Sequence, residues 1–130
     1  MVAMKRKFKS EIRSNVFFIV PLLLSLYYGI YILWWLLSMA ILFSFLYHIA
    51  NEKHWKTFDE IFAIGVMTYN LYLCFIGNFT EPYFLFAIIG VIIALSLYFK
   101  ETKSNYKYNH SLWHIFSAII TCFCILVYVM

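Results

Sequence analysis

The stretch NVFFIVPLLLSLYYGIYILWWLLSMAILFSFLYHIA, residues 15–50, decides the fold of this chain. It is apolar almost throughout, and as a single helix it would run about 54 Å at about 1.5 Å per residue. The hydrocarbon core of a bilayer is only about 30 Å thick, so the stretch must fold back once. The break is predicted near Tyr28-Gly29, because glycine relaxes the backbone and the surrounding tyrosines suit a membrane interface. The stretch therefore predicts two membrane helices, at about 14–28 and 31–50.

The composition of the whole chain also indicates a membrane protein. Of its 130 residues, 65% are hydrophobic, 22% aromatic and 12% charged, and the mean hydropathy is +0.82. A soluble domain of this size cannot bury so much apolar surface, because surface is large relative to volume in small proteins. The lipid bilayer is therefore the predicted partner, and no nucleic-acid partner is expected. The three cysteines lack CxxC spacing and are read as small buried residues.

Three further helices are expected downstream. Thr57-Phe58-Asp59-Glu60 matches a capping box, which predicts a third helix at about 58–77. A turn follows, and Pro82 suits the first turn of a fourth helix at about 82–99. A polar loop then leads to a fifth helix at about 110–130. The predicted fold is all-α: one polytopic transmembrane domain, residues 1–130, forming a bundle of about five membrane helices.

The positive charges indicate how this bundle is oriented. All ten Lys and Arg lie in the N-terminal arm, in the loop before the third helix, or in the loop before the fifth. With five spans, these three regions share one face of the membrane, while Glu81 marks the other. The positive-inside rule then predicts an integral, multi-pass protein with a cytoplasmic N-terminus.

Histidines cluster near that cytoplasmic face. His110 and His114 are four residues apart, so on a helix they project to one side, about 40° apart. His48 ends the second predicted helix and Asp59 begins the third, so the topology places all four at a similar depth. Ser44 lies one turn from His48 on the same side of its helix. Ionisable residues at a membrane helix are costly, which makes this group a candidate functional site.

The chemistry of the group is that of an open zinc site near the cytoplasmic face. Three histidines supply the neutral imidazole ligands of a catalytic Zn²⁺, and the fourth position can hold a water. Zinc lowers the pKa of that water and makes it a nucleophile. We therefore predict His48, His110 and His114 as metal ligands. Asp59 is predicted to take or hold the proton of the water, and Ser44 to donate to a developing oxyanion.

The pattern Ser44-x3-His48-x10-Asp59, with His110-x3-His114 on the last helix, resembles the CREST superfamily of membrane hydrolases. That group includes alkaline ceramidases, adiponectin and progestin receptors, and myomaker-like proteins. The ceramidases are the nearest in spacing, and Phe58-Asp59-Glu60 is similar to their Leu-Asp-Glu. The resemblance implies zinc on the three histidines and a membrane lipid substrate, sphingolipid-like or another acyl lipid. The family core has seven helices, so this chain would be a shortened form, and it lacks the acidic N-terminal segment that holds calcium in ceramidases.

Several interpretations stay open at this point. The main prediction is a zinc-dependent intramembrane hydrolase that cleaves a lipid amide or ester. One alternative is a non-catalytic, zinc-stabilised membrane protein in signalling or assembly, and a second is a b-type haem protein with two histidines as axial ligands. Individually, His110 and His114 also suit an interface, Asp59 suits a helix N-terminus, and Ser44 can bond to its own helix. Either five helices close the lipid cavity or a homo-oligomer completes it.

Overall fold

The structure is a computed structural model that describes residues 15–50, 53–100, 102, 104 and 106–130. Every regular element in these ranges is helical, so the all-α prediction is confirmed for the described chain. The predicted basic arm, Met1–Ser14, lies outside the described residues. The elements are a 3-10 turn, Val16–Phe18, followed by α1 (Ile19–Tyr27), α2 (Tyr31–Ala50), α3 (Lys53–Ile76), α4 (Tyr83–Phe99) and α5 (Tyr106–Val129).

The long apolar stretch breaks where the sequence predicts. Helix α1 ends at Tyr27, and Gly29 has a φ of 72°, in the left-handed region that glycine adopts without strain. The Ile30 amide donates to the carbonyl of Ser25 at 2.8 Å, which satisfies a carbonyl at the helix end. Two antiparallel helices result from one apolar run.

The predicted start of the third helix is wrong. Helix α3 begins at Lys53 and not at Phe58. The hydroxyl of Thr57 donates to the Lys53 carbonyl at 3.2 Å, a bond made within a helix and not at its cap. The rings of Trp55 and Phe58 pack against Phe43 of α2, with centroids 5.9 and 5.1 Å away. This packing favours an extra helical turn over the local capping pattern.

The fifth helix also begins earlier than predicted, at Tyr106 and not at His110. Asn109 is buried, and its Nδ2 donates to the carbonyl of Leu97 at 3.4 Å, near the end of α4. Because α4 ends where α5 begins, the two helices pack side by side over most of their length. The early start places both histidines of α5 inside the helix.

Four helices form a ring, and the fifth lies outside it. Helix α1 packs on α2, α2 on α3, α3 on α5, and α5 on α1, while α4 packs on the outer side of α5. The ring encloses an apolar core of Ile30, Leu33, Leu37, Val66, Leu73 and Ile125. A second cluster joins α3, α4 and α5 through Cys74, Ala87, Cys124 and Val127. Helix α5 is therefore the element shared by both cores.

The surface and interior have the polarity of a membrane protein. Large apolar side chains cover the outside, among them Leu71 at 71% and Phe75 at 68% exposure. Polar side chains are buried: Asn15, Ser25, Ser44, His48, Asn70, Asn109, His114 and Thr121. Three helical segments are long and apolar enough to cross a bilayer: Tyr31–Ala50, Lys53–Ile76 and Asn109–Val129. Two shorter apolar helices, Val16–Tyr27 and Tyr83–Phe99, accompany them. The chain is a membrane protein.

Helices α3 and α5 approach closely at the end where α3 terminates. A Cβ added to Gly77 would lie 2.4 Å from the carbonyl oxygen of Val127. One turn before Gly77, the thiols of Cys74 and Cys124 are 3.5 Å apart. This end of the bundle is held by close backbone approach, and the other end carries the candidate site.

Candidate metal centre

Three histidines meet where α2 ends and α5 begins. One ligand atom from each of His48, His110 and His114 lies within 4.8 Å of the others. His48 and His114 are buried, with 8% and 7% of their surface exposed, and His110 is half-buried. The structure thus brings together the three residues that the sequence predicts as metal ligands.

The three rings form a triangle of edge contacts. Ring centroids are 4.4 Å apart for His110 and His114, 5.5 Å for His48 and His110, and 6.1 Å for His48 and His114. In each pair the rings meet edge to face and do not stack. A single point at the centre is therefore within reach of one nitrogen from each ring.

The donor set fits zinc. Imidazole binds zinc at about 2.0–2.1 Å, so two ligands of a tetrahedral site have their nitrogens about 3.3 Å apart. The histidine nitrogens lie within 4.8 Å of one another, so small side-chain rotations would bring them to that separation. Three imidazole ligands would leave one tetrahedral position of a bound ion open, as in catalytic zinc sites.

Asp59 lies beside the ligand set and not within it. Its carboxylate interacts electrostatically with His48, from a half-buried position in the second turn of α3. Among the residues that the structure describes, the group of mutually close ligand atoms contains the three histidines and no carboxylate. The structure therefore places Asp59 next to His48 and outside the group of three histidines.

Ser44 is buried one turn before His48, with 4% of its surface exposed. Its partner is Asn15, whose Nδ2 donates to the Ser44 oxygen at 3.1 Å. Ser44 is a predicted site residue, whereas Asn15 is not predicted from the sequence. The one feature of the sequence that points to Asn15 is its position, since it is a polar amide residue at the boundary between the basic arm and the apolar stretch.

The segment that holds Asn15 also touches a histidine. The ring of Phe18 lies 5.9 Å from the ring of His114, edge to face, so the 3-10 turn covers the cluster from the side of α1. Four parts of the chain therefore surround the site: the 3-10 turn with Asn15 before it, the end of α2, the start of α3 and the start of α5.

Positive charge is exposed at the same end of the bundle. Lys53 and Lys56 lie on the first turns of α3, and Lys100 follows the end of α4. Since α2 ends and α5 begins at this level, these lysines and the histidine cluster share one side of the protein.

No family model, curated protein or solved structure matches this chain. The resemblance to the CREST superfamily stays a prediction from five spaced residues.

Proposed function

We propose that the protein is a zinc-dependent intramembrane hydrolase that cleaves an amide or ester bond of a membrane lipid. One observation carries the proposal: three histidine ligand atoms lie within 4.8 Å of one another at one end of an apolar bundle. Ionisable groups at such positions are expensive and typically functional. Three histidines beside a carboxylate would each add to that cost if they had no common function.

Zinc is the metal that the donor set favours. Imidazole nitrogens also suit copper, iron and nickel, but three neutral ligands with one open position match catalytic zinc sites. His48, His110 and His114 would hold the ion, and zinc when bound supplies a water activated for nucleophilic attack. The interhelical placement of the ligands means that the ion would also link α2 to α5.

The remaining residues have distinct roles in the proposed reaction. Asp59, close to His48 but outside the ligand set, accepts a proton during attack and returns it to the leaving group. Ser44 donates a hydrogen bond to the substrate carbonyl oxygen as negative charge develops there. The carbon–oxygen or carbon–nitrogen bond breaks, and water supplies the hydroxyl of the acid product and the proton of the leaving group.

The surroundings of the site favour a lipid substrate. The helices that carry the cluster expose apolar side chains to the bilayer, including Phe45 and Ile49 close to His48. A substrate that arrives through the membrane would bring its acyl chain along this surface and its carbonyl to the polar end. The CREST-like spacing favours ceramide-like amides within this class. A cavity completed by a homo-oligomer belongs to the same proposal.

The site is proposed to face the cytoplasm. Lys53, Lys56 and Lys100 are exposed at the end of the bundle that holds the cluster. By the positive-inside rule, this end remains on the cytoplasmic side of the membrane.

The test is zinc content and turnover in purified protein. Elemental analysis is expected to find close to one zinc per chain in the wild type and none in a His110→Ala, His114→Ala double variant. Asp59→Ala is expected to keep the metal and to lose turnover in a screen of lipid amides and esters. Zinc-free wild-type protein would contradict the proposal.

Two other outcomes correspond to the alternative functions. Stoichiometric zinc without turnover on any lipid would favour a non-catalytic, zinc-stabilised protein in signalling or assembly. A Soret absorption band in purified protein, lost in His48→Ala, would favour the b-type haem protein.

A further inference from the structure

Ser44 differs in its hydrogen bond from six other hydroxyl residues on the described helices. In Ser38, Thr57, Thr68, Ser96, Ser117 and Thr121, the hydroxyl donates to the carbonyl four residues earlier, at 2.7–3.2 Å. Such bonds use up the hydroxyl proton inside the helix. Ser44 instead pairs with a side chain of another segment, Asn15, which is 29 residues away in the chain.

The two side chains share two hydrogen bonds of unequal length. Asn15 Nδ2 donates to Ser44 Oγ at 3.1 Å, and Ser44 Oγ donates to Asn15 Oδ1 at 3.4 Å. The shorter bond fixes the serine oxygen, and the longer bond is the weaker hold on the hydroxyl proton. One turn separates Ser44 from His48 on the same helix face, so an anionic oxygen bound at the histidine cluster can compete with Asn15 Oδ1 for that proton.

Both members of the pair are held in place. Asn15 and Ser44 are 6% and 4% exposed, so neither exchanges its partner for bulk water. Phe18, in the turn that follows Asn15, packs against His114. The segment from Asn15 to Phe18 therefore contacts the site at two points, on α2 and on α5.

We propose that Asn15 is a positioning residue of the metal centre. Its Nδ2 holds the Ser44 oxygen in place, and the Ser44 hydroxyl exchanges its long bond to Asn15 Oδ1 for a bond to an anionic oxygen of a molecule bound at the open metal position. This inference rests on the proposed function. The physical basis is that a donor oriented in advance stabilises developing negative charge without reorganising during the reaction.

The chain contains a matched control for this pair. Asn70 Nδ2 donates to the hydroxyl of Thr121 at 3.0 Å, also buried and also between helices. Thr121 follows His114 by seven residues, which places it about 10 Å further along α5. Asn70→Ala therefore removes the same kind of bond at a distance from the cluster.

The experiment measures how tightly acetohydroxamate binds to the Co²⁺-loaded protein, followed by visible absorption. Acetohydroxamate presents an anionic oxygen to the metal, so it probes the donor without knowledge of the substrate. Its affinity is expected to fall about tenfold in Ser44→Ala, the effect of one hydrogen bond to a charged group. In Asn15→Ala the affinity for acetohydroxamate is expected to fall by a similar factor. In Asn70→Ala the affinity is expected to remain within twofold of that of the wild type.

Two further variants sharpen the test. Asn15→Leu has nearly the same shape but lacks the amide donor, so it guards against loss of packing in Asn15→Ala and is expected to bind acetohydroxamate equally weakly. The double variant Asn15→Ala, Ser44→Ala is expected to bind acetohydroxamate no more weakly than Ser44→Ala alone. Equality would show that Asn15 acts through Ser44.

The outcomes separate this inference from the proposed function. Wild-type protein that binds no Co²⁺ would contradict both. Protein that binds Co²⁺ but not acetohydroxamate, or that binds it equally well without Asn15, would overturn only the positioning role. An equal loss in Asn70→Ala would also overturn it, because the effect would then reflect general loosening of the bundle.

Discussion

A buried histidine in a membrane bundle is informative only when its neighbours are known. His48 is 8% exposed and its ring contacts the rings of both His110 and His114. His54, six residues further along the chain, is exposed on the first turn of α3 and contacts the ring of Trp55. The two histidines have the same chemistry in isolation, and only the first belongs to the cluster.

We predict opposite results for His48→Ala and His54→Ala. His48→Ala removes one of three ligands, so its zinc content should fall to background, whereas His54→Ala should keep the wild-type content. Free zinc at about 100 times the dissociation constant should stabilise the wild type by about 2.7 kcal/mol and leave His48→Ala unchanged. Elemental analysis and thermal unfolding in detergent measure the two effects. Equal zinc in both variants would remove His48 from the site.

At the scale of elements, the close contact between α3 and α5 depends on Gly77, which has no side chain. A Cβ at Gly77 would meet the backbone of Val127 at 2.4 Å, and backbone cannot move aside as a side chain can. A Cβ at Gly65 would meet only the Leu36 Cδ2 at 3.3 Å, the far end of a flexible side chain.

Gly77→Ala is therefore expected to destabilise the bundle by about 1–3 kcal/mol, the typical cost of overpacking. Gly65→Ala is the matched control and should change the unfolding free energy far less. Equilibrium unfolding in mixed detergent micelles, with zinc held constant, compares the two. If both substitutions lower the free energy of unfolding equally, the backbones of α3 and α5 do not approach closely at Gly77.

The same interface predicts a specific cross-link. The thiols of Cys74 and Cys124 are 3.5 Å apart, whereas Cys122 is two residues away on α5 and points elsewhere around the helix. Oxidation with copper phenanthroline should join Cys74 to Cys124 and leave one thiol for alkylation after denaturation. In Cys124→Ser, both remaining thiols should still be available for alkylation after the same treatment. Three alkylated thiols in oxidised wild type would contradict this packing.

The elements also show what the sequence can and cannot predict. The fold-back at Gly29 is predictable because membrane thickness and glycine act locally. The start of α3 is not, because Thr57 and Glu60 match a cap while Trp55 and Phe58 find a distant ring, Phe43, to pack against. At this position the capping pattern, which is local, competes with a tertiary contact to α2 that cannot be predicted from the local sequence.

The candidate site divides in the same way. The predicted ends of the helices give the depth of each residue in the membrane, so the sequence predicts that the three histidines and Asp59 lie at a similar level. Depth does not predict which helices are neighbours in the bundle. Asn15 reaches Ser44 only because α1 packs beside α2, and that contact depends on side-chain packing across the whole ring.

At the scale of the whole molecule, orientation is a separate prediction. Lys56 and Glu81 are exposed and lie near opposite ends of α3. With the native cysteines replaced by serine, Glu81→Cys should react with a membrane-impermeant maleimide in intact cells. Lys56→Cys should react only after permeabilisation, because its end of the bundle is predicted to be cytoplasmic. The reverse pattern would place the histidine cluster outside the cell or in a lumen.

The position of α5 has a consequence for the order of events during synthesis. Helix α5 packs against α1, α3 and α4 and carries two of the three clustered histidines, yet the ribosome makes it after all of them. Until it emerges, His48 is the only one of the three clustered histidines in the nascent chain, and α4 lacks the helix against which it packs most extensively. If the proposed metal site forms, metal binding therefore coincides with completion of the bundle. A chain stalled before α5 would present an unfinished ring and only one of the three clustered histidines.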